Sequence, residues 1–304
     1  MKNPPIIAPG IAPIVDFTPR VSRWNLAPAA VVLIVFFSAY AIFLYTSLLH
    51  RVPGQAASVG PISLDNYARF MRSASEWRIL GATLGISAEL TVAAALVGFP
   101  MAYVMVRCAS SGLRQFLMVS LVVTFLSGTV TRAYAWVIIL GNSGLINSVL
   151  RKLGVIDSPL HLIYNQGGVF VSLLHFVIPF FVLTLLGPLK NVPRVLEESA
   201  INLGASRLSA FCRVTLPLSV PGVIAASALT FAVSLSSFLF PLVLGGGHVR
   251  LLSNEIYELI FVAFDLPFAA ATATLFLVVS LAFVWLFSLS QRLAGGHVAR
   301  SATQ

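Results

Sequence analysis

Residues 168–189 read GVFVSLLHFVIPFFVLTLLGPL, and the only titratable side chain among them is His175. A helix that crosses a bilayer needs about 20 predominantly apolar residues, and this run has that length. It does not alternate, as a strand of a transmembrane barrel would. Five further runs have the same character: 26–49, 79–106, 115–141, 218–244 and 268–290. The first and the last two of the six contain no charged residue, the second only Glu89 and the third only Arg132. The expectation is an all-α membrane protein with six transmembrane helices in one domain over 26–292. A proline-rich arm, 1–25, precedes it and a short tail, 293–304, follows.

Composition points the same way. The chain has 304 residues, of which 58% are hydrophobic and 10% charged, with a mean hydropathy of +0.93. Soluble domains carry about 25% charged residues, so this chain lacks the charged coat that they need. The apolar and aromatic content excludes a disordered chain. Two cysteines exclude a disulfide scaffold. The first run does not read as a cleaved signal peptide, because it is too long and a long arm precedes it.

The net charge of +9 would suggest nucleic acid in a soluble protein. In a membrane protein it reads as topology, because Lys and Arg accumulate on the cytoplasmic side. With the N-terminus inside, the inner set is Lys2, Arg20, Arg23, Arg107, Arg114, Lys190, Arg194, Arg207, Arg213, Arg292 and Arg300. The acids there are Asp16, Glu197 and Glu198. The outer set is nearly balanced: Arg51, Arg69, Arg72, Arg78, Arg151, Lys152 and Arg250 against Asp65, Glu76, Asp157, Glu255, Glu258 and Asp265. Both termini are therefore expected in the cytoplasm. Cys108 and Cys212 fall on that side and are expected as free thiols. The outer loops show helical spacing at Leu64, Tyr67, Met71 and Ala74, at Ile146, Val149, Leu150 and Leu153, and at Leu252, Ile256, Leu259 and Ile260. Short helices lying at the interface or packed on the bundle are expected there.

The inner segment 190–217 is the longest cytoplasmic connection. Pro193 suits a helix start. Val195, Leu196, Ser199, Ala200 and Leu203 form a narrow apolar or small stripe, and Gly204 follows where a helix ends readily. Ser206 can cap a second short helix that presents Leu208, Phe211 and Cys212. The segment reads Glu198-Ser199-Ala200, three residues, Gly204, nine residues, then Val214-Thr215-Leu216-Pro217.

This pattern resembles the EAA loop of permease subunits of binding-protein-dependent ABC importers, E-A-A-x3-G-x9-I-x-L-P. Ser199 and Val214 depart conservatively from it. Thr83, Ser87, Thr91, Gly98, Pro100 and Tyr103 resemble the second span of such permeases. Arg132-Ala133-Tyr134-Ala135-Trp136 and Pro241-Leu242-Val243-Leu244-Gly245-Gly246 are similar to the spermidine/putrescine branch. The resemblance implies the type I ABC importer, MetI-like permease fold in a bacterial inner membrane. It also implies partners: a second, similar permease, two cytoplasmic ATPase subunits and an external solute-binding protein. Glu198, Ser199, Ala200, Gly204, Val214, Leu216 and Pro217 would then couple the chain to an ATPase, and a polyamine or similar small solute would be its cargo.

No cofactor is expected on this chain, because it has no G-x-x-x-x-G-K-[ST] phosphate loop; ATP and Mg would be held by the partner ATPases. No H-E-x-x-H, no G-x-S-x-G and no metal-ligand histidine spacing point to an enzyme. The charged residues inside the spans, Glu89 and Arg132, are functional candidates because charge in a bilayer is costly. They read either as an ion pair or as a place where Glu89 meets a cationic solute. His175 reads as a satisfied interior histidine. An ion-gradient-driven secondary transporter is the competing class. It leaves 190–217 without a task, and the sequence shows no clear repeat of interrupted helices.

Overall fold

The computed structural model describes residues 27–50 and 61–301. The arm 1–25 lies outside the described residues. The chain divides into two units, 1–45 and 46–304. The first contains most of α1 (Ala27–Ser47), an apolar helix with no charged residue.

The second unit is built around α3 (Ala74–Arg107), α7 (Gln166–Lys190) and α10 (Leu216–Leu235). Helix α7 packs against both of the others and is the most deeply buried span. The residues that form its inner side, Val177, Phe181, Val182, Leu185 and Leu189, are fully buried. Gly98 of α3 meets α7 so closely that a Cβ there would lie 2.7 Å from the Phe181 ring. The missing side chain makes room for the Phe181 ring and Val182 of α7. Polar caps set the helix starts: Ser73 Oγ accepts from Glu76 N at 3.4 Å and Asn165 Oδ1 from Gly168 N at 2.8 Å. The last span, α13 (Leu266–Ser301), runs on through most of the expected tail, whose backbone is helical to Ser301.

Two of the expected spans are not single helices. The third is α4 (Ser111–Leu126) followed by α5 (Thr129–Leu140). The fifth is α10 followed by α11 (Leu239–Leu244). At the first break Ser127 is extended, its Oγ donates to Val123 O at 2.7 Å, and Gly128 starts the next helix. At the second, the hydroxyls of Ser236 and Ser237 both donate to Val233 O at 3.0 Å. Serine hydroxyls that bond back to the preceding turn compete with the helix ladder. The outer halves, α5 and α11, then pack on each other.

The outer connections are helical as expected: α2 (Asp65–Arg72), α6 (Leu145–Lys152) and α12 (Leu252–Phe261). Helix α2 leaves its apolar spacing largely uncovered, in keeping with the interfacial alternative. It buries Asn66 and Phe70, while Leu64 and Met71 are exposed. The reason is hydrogen bonding: Asn66 Nδ2 donates to Ser47 O and Leu49 O, both at 2.9 Å. Opposite carbonyls at the end of an apolar helix need donors more than Leu64 needs burial.

Candidate functional site

The inner segment forms α8 (Arg194–Asn202), α9 (Arg207–Ala210), a π-helical turn over 211–215, and then α10. Pro193 stands immediately before α8, with φ −63° and ψ 130°. Gly204 has φ +92°, which only glycine adopts readily. Ala205 N donates to Ala200 O at 3.0 Å and Gly204 N to Ile201 O at 2.9 Å. This closes α8 with a Schellman motif. Ser206 Oγ caps α9 by accepting from Ser209 N at 3.2 Å.

Helix α8 buries none of its own residues fully. What fixes it is one carboxylate. Glu197 Oε1 accepts from Tyr103 Oη at 2.5 Å, and Oε2 accepts from Thr215 Oγ1 at 3.1 Å. Arg107 Nε lies 3.4 Å from the same Oε2, with the two side chains only 11% and 14% exposed. Arg107 also donates to Val192 O at 2.9 Å, and Arg194 to Val106 O at 2.6 Å. Helix α8 is thereby tied to the end of α3 and to the π turn. In that turn Phe211 packs edge-on to Tyr103 and Phe99 at 4.9 and 5.7 Å.

The opposite surface of the segment is apolar and uncovered. Leu203 is 89% and Leu208 73% exposed; Val195, Leu196 and Ile201 are exposed as well. Beside this ridge a cavity of about 300 Å3 is lined by Tyr103, Arg107, Arg194, Glu197, Glu198 and Arg207. Of the residues singled out by sequence, Glu198 is exposed at this cavity and Ser199 is exposed. Ala200 and Val214 are half-buried, and Leu216 and Pro217 face outward at the start of α10. The residue that holds the segment is thus Glu197, not its neighbour Glu198. Tyr103, Arg107 and Thr215 complete the clamp. Their signal in the sequence was weak: two adjacent glutamates, and an arginine that fitted the charge bias equally well.

The structure does not bring Glu89 and Arg132 together as an ion pair. Glu89 is exposed and lines a cavity of about 600 Å3 with Arg78, Asn165, Gln166, His248 and Arg250. Arg250 is engaged by Glu258 at 3.7 Å. Arg132 is 8% exposed and stacks over the Phe176 ring, 4.8 Å from its centroid. His175 has a partner, since Trp136 Nε1 donates to its Nδ1 at 3.4 Å, but it is exposed rather than interior, because its side of α7 is not covered there. Among the described residues no group of three His, Cys, Asp or Glu side chains is placed to hold a metal ion.

Comparison with known proteins follows this geometry. Residues 91–295, from mid-α3 through the inner segment into α13, match the family model described as binding-protein-dependent transport system inner membrane component. The chain is 31% identical over 211 residues to the spermidine/putrescine transport system permease protein PotB of Escherichia coli, covering 69% of this chain and 76% of that one. It is 28% identical over 217 residues to the inner membrane ABC transporter permease protein YdcU of Escherichia coli, covering 67% and 68%. In fold it is similar to a chain of the bacterial alginate ABC transporter solved with an alginate pentasaccharide-bound periplasmic protein, with a TM-score of 0.73 at 22% identity, over 89% of this chain and 94% of that one. The six apolar helices and the inner segment suit that likeness. The chain belongs to the binding-protein-dependent transport system inner membrane component family, as a multi-pass permease of an ABC importer in the bacterial inner membrane.

Proposed function

We propose that segment 190–217 is the surface on which a cytoplasmic ATPase subunit docks. We further propose that the chain and a second, similar permease enclose a path for a polyamine or similar small cationic solute, handed over by an external binding protein. Both termini then lie in the cytoplasm, as the charge bias requires. ATP and Mg belong to the ATPase subunits, and this chain contributes no catalytic group.

The observation that carries the docking reading is the contrast within one short helix. The inward side of α8 is fixed by Glu197, and its outward side, with Leu203 and Leu208 beyond it, is apolar and open. A rigid short helix with an apolar face fits a groove and transmits a displacement to whatever it is fixed to. The likeness to a spermidine/putrescine permease supports the solute class. So does Glu89, a carboxylate in a cavity at mid-helix that has no ion-pair partner among the described residues.

Replacing Leu203 and Leu208 together with glutamate tests the docking. The ATPase subunits should no longer co-purify and uptake should stop, while the permease itself stays folded. Uptake that continues without ATP would instead favour an ion-gradient-driven transporter. Glu89→Gln tests the path: assembly should be normal and uptake of a radiolabelled polyamine should fall. Unchanged uptake would remove Glu89 from the path.

A further inference from the structure

Three helix ends meet beside the inner segment: the end of α3, the start of α4 and the end of α7. Between them lies a cavity of about 450 Å3. Its polar lining is Ser111, Arg114, Gln115 and Lys190, and its apolar lining includes Met105 and Met118. The order along the helices is informative. On α4, residues 111, 114, 115 and 118 share one face, so the wall changes from polar to apolar moving away from the helix start. On α7, Lys190 stands at the polar end and Leu186, one turn earlier, at the apolar end. The slot is therefore cationic at its mouth and greasy inside.

The charges at that mouth are not used within the chain. Of the cations nearby, Arg107 pairs with Glu197 and Arg194 donates to Val106 O. Among the described residues, neither Arg114 nor Lys190 has a side-chain hydrogen bond or ion pair. Arg114 also sits in the first turn of α4, which contains no acidic residue. The start of a helix is already its positive end, so a cation there raises the local potential further and calls for an anion. The surroundings of α4 are apolar: it buries only Leu121 and exposes Phe116, Val119, Val123 and Leu126.

The structure assigns this slot to an anionic phospholipid. Its phosphate lies between Arg114 and Lys190, with Ser111 and Gln115 as neutral donors, and an acyl chain runs along Met118 and Leu186. A free phosphate would satisfy the two cations and leave the apolar part of the slot unfilled, whereas a lipid fills both. Basic pockets between membrane helices near the interface take anionic headgroups by the same electrostatics. This reading does not depend on the solute or on ATPase docking.

The test uses the full chain in its assembled complex, exchanged into vesicles of pure dioleoylphosphatidylcholine or of that lipid mixed equally with dioleoylphosphatidylglycerol. Bound lipid is then counted by native mass spectrometry after extraction. The unaltered protein should retain phosphatidylglycerol in preference to phosphatidylcholine. Arg114→Gln and Lys190→Gln should each lower that preference about fivefold, the size expected of one interfacial cation. Arg213→Gln, which removes an exposed cation elsewhere in the inner segment, should leave it unchanged. Met118→Trp, which fills the apolar part, should lower retention of both lipids and keep the complex intact on size exclusion. Equal retention of the two lipids by the unaltered protein would overturn the proposal. So would an undiminished preference in the double variant, or displacement of the lipid by millimolar inorganic phosphate.

Discussion

The outer and inner connections of this permease are both short helices, yet they are held by opposite means. Each outer helix buries an asparagine whose amide bonds main-chain groups of the neighbouring segment. Asn66 donates to Ser47 O and Leu49 O, and Asn254 to Phe238 O. Asn147 donates to Gly141 O and Leu160 O and accepts from Leu160 N at 2.8 Å. The inner helix α8 buries no amide; charged side chains hold it, the carboxylate of Glu197 and Arg194, which donates to Val106 O. An amide closes a loop onto its own scaffold with neutral main-chain bonds. The charged side chains leave the other side of α8 uncovered. On the docking proposed above, the difference separates parts that finish the fold from a part that awaits a partner.

Four substitutions would break or sharpen this contrast. The largest effect on stability is expected from Glu197→Ala, which leaves Arg107 nearly buried without its counter-charge. Losing one member of such a pair costs roughly 3 kcal/mol or more. Hydrogen exchange should show α8 and the π turn opening, and ATPase association should be lost. Next comes Asn147→Leu, which removes three main-chain bonds at a buried site. About 1–3 kcal/mol is expected for the groups left unpaired. Exchange should rise in α6 and around Leu160, with ATPase association intact.

The third effect is smaller and depends on pH. Burial first, and then the neighbouring carboxylate of Glu258, raise the Glu255 pKa above its ordinary 4.5, while Arg250 opposes them. A raised value means that the native state holds the proton more tightly than the unfolded state does. Stability from this group is therefore present at acid pH and is lost as pH rises through the raised value. Glu255→Gln should raise the melting temperature slightly at neutral pH and lose that advantage near pH 4 in a thermal scan. The smallest effect on stability is expected from Leu203→Glu, because that side chain touches almost nothing. The melting temperature should stay within the scatter of surface substitutions, while binding of the ATPase falls. If it destabilised the permease as much as Glu197→Ala, the ridge would be part of the fold and the contrast would fail.

The sequence reveals most of the bundle because hydropathy and length suffice for α3, α7 and α13. It conceals the two breaks. Ser127-Gly128 and Ser236-Ser237 are small enough to leave the average hydropathy of their runs high. The breaks come from hydroxyls bonding back to Val123 O and Val233 O, which averaging does not register. On α2 it marks the apolar face but not the buried one, where burial follows the main-chain needs of Ser47 and Leu49. In the inner segment the spacing of Glu198, Gly204 and Pro217 marks the helix–glycine–helix turn, which the structure has at Gly204. The inward clamp is invisible there, because one residue of helical rotation decides which of two adjacent glutamates meets Tyr103.

Helix α3 has 34 residues in one uninterrupted run, about 51 Å at the helical rise. Its inner end holds the Glu197 clamp, and near its outer end Thr83 Oγ1 accepts from Leu252 N at 2.8 Å. Between them lies Glu89. A displacement of α8 would therefore pass along α3 with no loop to absorb it, from the clamp at one end, past the cavity that Glu89 lines, to the bond at Thr83.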